Sequence, residues 1–129
     1  MKKSVLIVDD EEHIRNHLGE FLEEDGYMVY TASTIENAKQ EIQNKELHYA
    51  IIDLKLDNPS EYGGIEVYKF VKENKPDVIP IILSAYFNEH VKEELKKEEK
   101  DIEPHYIFKG GEQNYILAVL DKLEELEKE

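Results

Sequence analysis

Five times along this chain a short apolar run is followed by a segment with helical spacing of its apolar residues. That alternation limits the possible folds more than any other feature. The runs are 4–9 (SVLIVD), 27–33 (YMVYTAS), 48–53 (HYAIID), 78–84 (VIPIILS) and 105–109 (HYIFK). They are short and rich in β-branched residues, as strands buried on both faces are. Between and after them lie five helical patterns. In 11–26, Ile14, Leu18, Phe21 and Leu22 recur on one face, and Gly26 stops the helix. Ser33 and Glu36 form an S-x-x-E capping box for the second helix, where Ile35, Ala38 and Ile42 face inward. The third covers 63–74 with Ile65, Tyr68 and Val71 aligned. The fourth, 88–100, is very polar, with Val91 and Leu95 to bury. The fifth, 112–129, turns Ile116, Val119, Leu120 and Leu123 inward. Strands alternating with helices imply a parallel sheet joined by right-handed crossovers, with helices on both faces.

A chain of 129 residues supplies one such domain, spanning 1–129, and not two. With 40% hydrophobic residues it has enough apolar surface to fold. The absence of cysteine excludes disulfides, thiolate metal sites and a cysteine nucleophile. The first apolar run is too short for a secretion signal, and no stretch approaches a membrane span, so a soluble, cytoplasmic protein is expected. A formal charge of -14 repels polyanions and argues against direct nucleic-acid binding. It also suits a metal cation or a basic partner, although a merely solvated surface has the same sign.

The strand ends carry the chemistry. Asp9 and Asp10 close the first strand, Asp53 the third, Ser84 the fourth and Lys109 the fifth. In a parallel sheet these ends share one edge, where ligands bind at the point of strand-order reversal. Each residue alone has an ordinary explanation. Asp10 or Glu11 can cap the first helix, Ser84 can sit in a turn, and Lys109 can be a solvated strand end. Together they form a site. Crowded carboxylates repel one another, and a hard divalent cation with oxygen ligands relieves the repulsion. Octahedral Mg²⁺ suits two carboxylates and a backbone carbonyl with retained waters. His13 and His17, spaced i, i+4, could also hold a metal, but with no third ligand in view they read as surface residues.

The stretches VLIVDDE, AIIDLKL, IILSA and YIFKG, in this order across the whole chain, resemble the receiver domain of two-component response regulators. The resemblance implies a flavodoxin-like, doubly wound (βα)5 fold with a five-stranded parallel sheet in the order 2-1-3-4-5. It implies a phosphoacceptor protein and not an enzyme with a separate substrate. Asp53 would be phosphorylated with Mg²⁺ as cofactor. Asp10 and Asp53 would hold the metal directly, Asp9 through water, and Lys55 through its backbone carbonyl. Lys109 would neutralise phosphoryl oxygens and the Ser84 hydroxyl would donate to one of them. Tyr106 takes the place of the aromatic switch residue, the other reading being an ordinary edge-strand aromatic. The side chains two positions after Asp53 and Ser84, here Lys55 and Tyr86, would flank the path of an attacking water. The implied partners are a histidine kinase or phosphotransfer protein and an unknown output protein, for a stand-alone monomer or weak dimer.

Three departures from the family pattern stand out. Gly110 and Gly111 follow Lys109 where the family commonly has a cis proline, so a trans bond is expected. The loop after Asp53 is longer and adds Asp57 and Glu61. The 88–100 helix is weakly anchored, and KDIEPH precedes the last strand. Two rivals carry different expectations. A haloacid dehalogenase-type phosphatase needs a second Asp two residues after the nucleophile, yet Leu54 and Lys55 follow Asp53. A receiver-like interaction module would work without phosphorylation.

Overall fold

The computed structural model describes residues 3–56, 63–85, 93, 105–109 and 114–128. Five strands and four helices lie within them. They are β1 (Ser4–Val8), α1 (Glu12–Glu24), β2 (Met28–Ala32), α2 (Ile35–Asn44), β3 (Tyr49–Ile52), α3 (Gly63–Asn74), β4 (Ile79–Ser84), β5 (His105–Phe108) and α4 (Tyr115–Glu127). The sheet order is β2-β1-β3-β4-β5 and every pairing is parallel. This is the flavodoxin-like order. Of the expected helix over 88–100 only Glu93 is among the described residues, and Asp57, Glu61, Tyr86, Gly110 and Gly111 lie outside them. No described helix is long and apolar enough to cross a membrane.

The apolar runs are unbroken because both faces of the sheet are covered. On one face Leu6, Val8, Ala50, Ile52 and Ile82 pack with Ala38 and Ile42 of α2 and Val67, Tyr68 and Val71 of α3. On the other, Val5, Ile7, Ile51, Ile81, Leu83 and Ile107 pack with Leu18 and Leu22 of α1 and Val119, Leu123 and Leu126 of α4. Successive residues of one strand thus serve opposite cores, the two-residue period of β structure. Pro80 has no N–H to give the sheet, yet lies in β4. It is tolerated because β5 begins opposite Ile81, which leaves Pro80 paired with Ala50 of β3 alone among the described residues.

Two local expectations are corrected. The α2 cap is Thr34, not Ser33: the Asn37 N–H donates to Thr34 Oγ1 at 3.0 Å. β2 ends at Ala32, so the helix begins one residue later than the capping-box pattern requires. Phe21 does not face the core and is 47% exposed, while Ile14, Leu18, Gly19 and Leu22 are buried. The apolar stripe of α1 is narrower than its sequence pattern. α1 does stop at Gly26, whose φ of 99° is the left-handed conformation that glycine adopts without penalty.

Candidate functional site

After β1 the chain crosses to β2 on one side, and after β2 it returns to β3 on the other. The reversal opens a crevice between the carboxyl ends of β1 and β3. Asp9 and Asp10 leave β1 there, and Asp53 leaves β3. Backbone bonds fix both ends: Asp53 N–H donates to the Val8 carbonyl at 2.9 Å, which ties β3 to β1, and Asp9 N–H to the Ala32 carbonyl at 3.1 Å, which ties β1 to β2. One carboxylate oxygen from each of the three aspartates lies within 4.8 Å of the others. Asp9 and Asp53 are buried and Asp10 is exposed, so the cluster opens to solvent on one side.

Lys109 reaches in from the end of β5. Its N–H donates to the Ser84 carbonyl at 3.1 Å, which seats it beside β4. Its Nζ is 2.8 Å from Asp9 Oδ2 and 3.5 Å from Asp53 Oδ2. The tighter partner is therefore Asp9. Burial opposes the ammonium charge, but the Asp9 hydrogen bond and the charges of Asp9, Asp53 and Glu11 outweigh it, and the net shift is upward. Lys109 is a fixed cation. Asp53 shows the opposite pressure. Burial, then the charge of Asp9, raise its carboxyl to about 7 against the pull of Lys109. One ammonium does not balance three crowded carboxylates.

The donor set suits Mg²⁺. Every side-chain ligand atom in the cluster is a carboxylate oxygen, one side is open for retained waters, and the raised Asp53 pKa marks an unmet demand for positive charge. The Leu54 carbonyl accepts from Leu56 N–H at 3.2 Å and from Gly64 N–H at 2.7 Å. These bonds set the backbone around Lys55, whose carbonyl is the expected fourth ligand.

Ser84 is fully buried at the end of β4, and its carbonyl also accepts from the Tyr106 hydroxyl at 3.4 Å. Tyr106 is half-buried, packed against the core that α2 and α3 cover. Neither Asp10 nor Glu11 is seen to cap α1 through its side chain. Glu11 holds the cap position without a side-chain bond, and its N–H donates instead to Asp9 Oδ1 at 2.9 Å.

Two residues that sequence reasoning missed support the aspartates. Arg15 Nη1 donates to the Asp9 carbonyl at 2.7 Å and clamps the β1–α1 turn. A basic residue in the first turn of a helix is unusual and was the available signal. At Gly64 a Cβ would sit 2.6 Å from Leu54 Cα and 2.8 Å from the Asp53 carbonyl carbon. The start of α3 rests directly on the backbone that carries Asp53, and the signal was the glycine pair at 63–64.

Solved structures share this arrangement of elements. A response regulator receiver domain protein (CheY-like) from Methanospirillum hungatei JF-1 superposes with a TM-score of 0.83 at 28% identity, over 97% of this chain and 93% of that one. TrrA, a response regulator from Thermotoga maritima solved in complex with Mg(2+)-BeF, gives 0.70 at 30% identity, over 94% and 98%. The photosynthetic apparatus regulatory protein RegA of Rhodobacter capsulatus is 31% identical over 84 residues, 65% of this chain and 44% of RegA. Response regulator RR06 of Streptococcus pneumoniae serotype 2 is 35% identical over 86 residues, 67% of this chain and 38% of RR06. The chain thus spans less than half the length of these curated relatives. The response regulator receiver domain model matches residues 5–121, a span that begins inside β1 and takes in all three aspartates, Ser84 and Lys109. The chain belongs to the receiver domain family of two-component response regulators.

Proposed function

We propose that this receiver domain works by phosphorylation of Asp53 with Mg²⁺ in the acidic pocket. The observation that carries the reading is the setting of Asp53: a buried carboxylate at the strand-order reversal, 3.5 Å from a fixed ammonium and within 4.8 Å of two further carboxylates. Asp10, Asp53 and the Lys55 carbonyl would hold the metal directly and Asp9 through water. Bound there, Mg²⁺ would supply charge beyond that of the Lys109 ammonium, and so would favour both the ionised nucleophile and the incoming phosphoryl oxygens.

In the reaction an Asp53 carboxylate oxygen attacks phosphorus. A P–O or P–N bond to the donor breaks, and the donor keeps the electron pair. Asp53 becomes an acyl phosphate. Lys109 moves its attention from Asp9 to a phosphoryl oxygen, and the Ser84 hydroxyl donates to another. The Tyr106 hydroxyl bond to the Ser84 carbonyl is long enough to be weak, so motion at Ser84 releases the ring and changes a docking surface. A phosphohistidine on a histidine kinase or phosphotransfer protein is the natural donor, and an output protein reads the altered surface.

Treatment with a small acyl phosphate in Mg²⁺ buffer tests this reading. Mass spectrometry should show one phosphoryl group on the wild type and none on Asp53→Asn, which stays folded. Full labelling of the Asn variant would remove Asp53 from the role. An unlabelled wild type that is also blind to beryllium fluoride would leave the phosphorylation-independent module.

A further inference from the structure

Asp10 is the exposed member of the aspartate cluster, and among the described residues no hydrogen bond holds its carboxylate. Its aim therefore depends on the backbone that carries it. We propose, on the reading of the cluster as the Mg²⁺ pocket, that Arg15 is a positioning residue for the ion. It grips the peptide plane that leads into Asp10, and so sets Mg²⁺ affinity although a guanidinium has no acceptor to offer a metal.

Asp9 is held at both ends of its backbone. Its N–H donates to the Ala32 carbonyl at 3.1 Å, and its carbonyl accepts from Arg15 Nη1 at 2.7 Å. Its side chain is engaged as well: Oδ1 accepts from the Glu11 N–H at 2.9 Å, and Oδ2 lies 2.8 Å from Lys109 Nζ. The Asp9 carbonyl and the Asp10 N–H belong to one rigid peptide plane. A bond to that carbonyl fixes the tilt of the plane from which Asp10 departs, and at 2.7 Å it has the length of a charge-assisted bond. Without it, rotation on either side of the plane is left to a turn whose cap residue, Glu11, makes no side-chain bond. Arg15 does not serve the helix that carries it, because a cation in the first turn meets the positive end of the helix dipole.

Charge alone gives the opposite sign. A guanidinium beside the cluster repels a dication, so its removal would tighten Mg²⁺ binding if Coulomb repulsion were the larger effect. Removal weakens binding if the grip on the peptide plane is larger. The grip should win. The guanidinium also borders the open groove between α1 and β2, with Gly19, Val29 and Thr31, where water screens its charge. The hydrogen bond acts one residue from Asp10, with no solvent between.

The test is an NMR titration of the full chain with Mg²⁺ at constant ionic strength, comparing wild type, Arg15→Met and Arg15→Lys. Methionine keeps the helix propensity and removes both charge and donors. Lysine keeps the charge and a donor on a different stem. Arg15→Met should bind Mg²⁺ about tenfold more weakly, the loss that removing a partner outside the ligand set causes. Arg15→Lys should fall between it and the wild type, a rescue that a general loss of helix packing would not give. Affinity in Arg15→Met equal to or above that of the wild type would overturn the proposal, as would an Arg15→Lys variant no better than Arg15→Met. A wild type that takes up no Mg²⁺ would instead overturn the reading of the cluster itself, and the role of Arg15 with it.

Discussion

Asp53 is the residue where stability and the proposed function oppose each other. Its folded carboxyl titrates near 7 rather than 3.8, because burial and then Asp9 disfavour the charge. Below about pH 4 both folded and unfolded chains hold this proton. Above that the unfolded chain releases it first, so the native state binds more protons and stability falls as pH rises towards 7. Above 7 this contribution is constant and unfavourable, on the order of a few kcal/mol at roughly 1.4 kcal/mol per pKa unit. Asn at 53 carries no proton to lose. In EDTA at pH 8, Asp53→Asn should therefore melt above the wild type by more than about 5 °C, with the gap closing near pH 4. Parallel melting curves across that window would remove the burial penalty from the account. Gly64 bears on the same carboxylate through the backbone. In an open helical position Gly→Ala stabilises by up to about 1 kcal/mol. Here a Cβ would meet Leu54 Cα at 2.6 Å, closer than real Cβ atoms come, so the backbone at Asp53 must shift. Gly64→Ala should destabilise by about 1–3 kcal/mol and slow acyl-phosphate labelling. A more stable variant with wild-type labelling would show that α3 does not bear on the site.

Among the elements, α2 shows best where sequence reading stops. Ser33 and Thr34 are adjacent hydroxyl residues, and the S-x-x-E pattern favours the first. The observed cap is the second, fixed by where β2 releases the chain at Ala32. Thr34→Ala should cost about 1 kcal/mol in chemical denaturation, and Ser33→Ala close to nothing. A reversed pair of values would restore the capping box. The same limit recurs elsewhere. Strand and helix order was legible because unbroken apolar runs such as Val5–Val8 and Ile81–Leu83 leave little choice, and the strand-end residues were legible because parallel strands share an edge. Phe21 was misplaced because periodicity assigns a face but not its width. The preference of Lys109 for Asp9 over Asp53 was invisible, since it depends on a difference of 0.7 Å between two separations, 2.8 and 3.5 Å. Arg15 was missed for a related reason: its place in the first helical turn is an unusual one for a base, but its partner is a backbone carbonyl, which side-chain pattern does not name.

At the scale of the whole molecule, a formal charge of -14 sits on a fold whose crevice gathers three closely spaced carboxylates, more than the Lys109 ammonium can balance. Two kinds of cation effect follow, and they separate by concentration. Monovalent salt screens the diffuse surface repulsion, with a Debye length near 10 Å at 0.1 M, and should raise stability gradually without saturating at a defined stoichiometry. Mg²⁺ should do more at constant ionic strength, because in the proposed role it binds the assembled cluster and not the dispersed carboxylates of the unfolded chain. Its contribution grows as RT ln(1 + [L]/Kd), about 2.7 kcal/mol at a hundredfold excess over Kd. Asp10 distinguishes the two effects. It is the exposed member of the cluster, so Asp10→Ala removes a ligand without opening the core. That variant should lose the Mg²⁺ shift while keeping the response to sodium chloride. Without metal it should melt at or above the wild type, since one like charge beside Asp9 and Asp53 is gone. Thermal denaturation of both proteins in matched ionic strength, with and without Mg²⁺, reads all three outcomes. An undiminished Mg²⁺ shift in Asp10→Ala would mean that the ion acts on the surface charge as a whole and that the crevice is not its site.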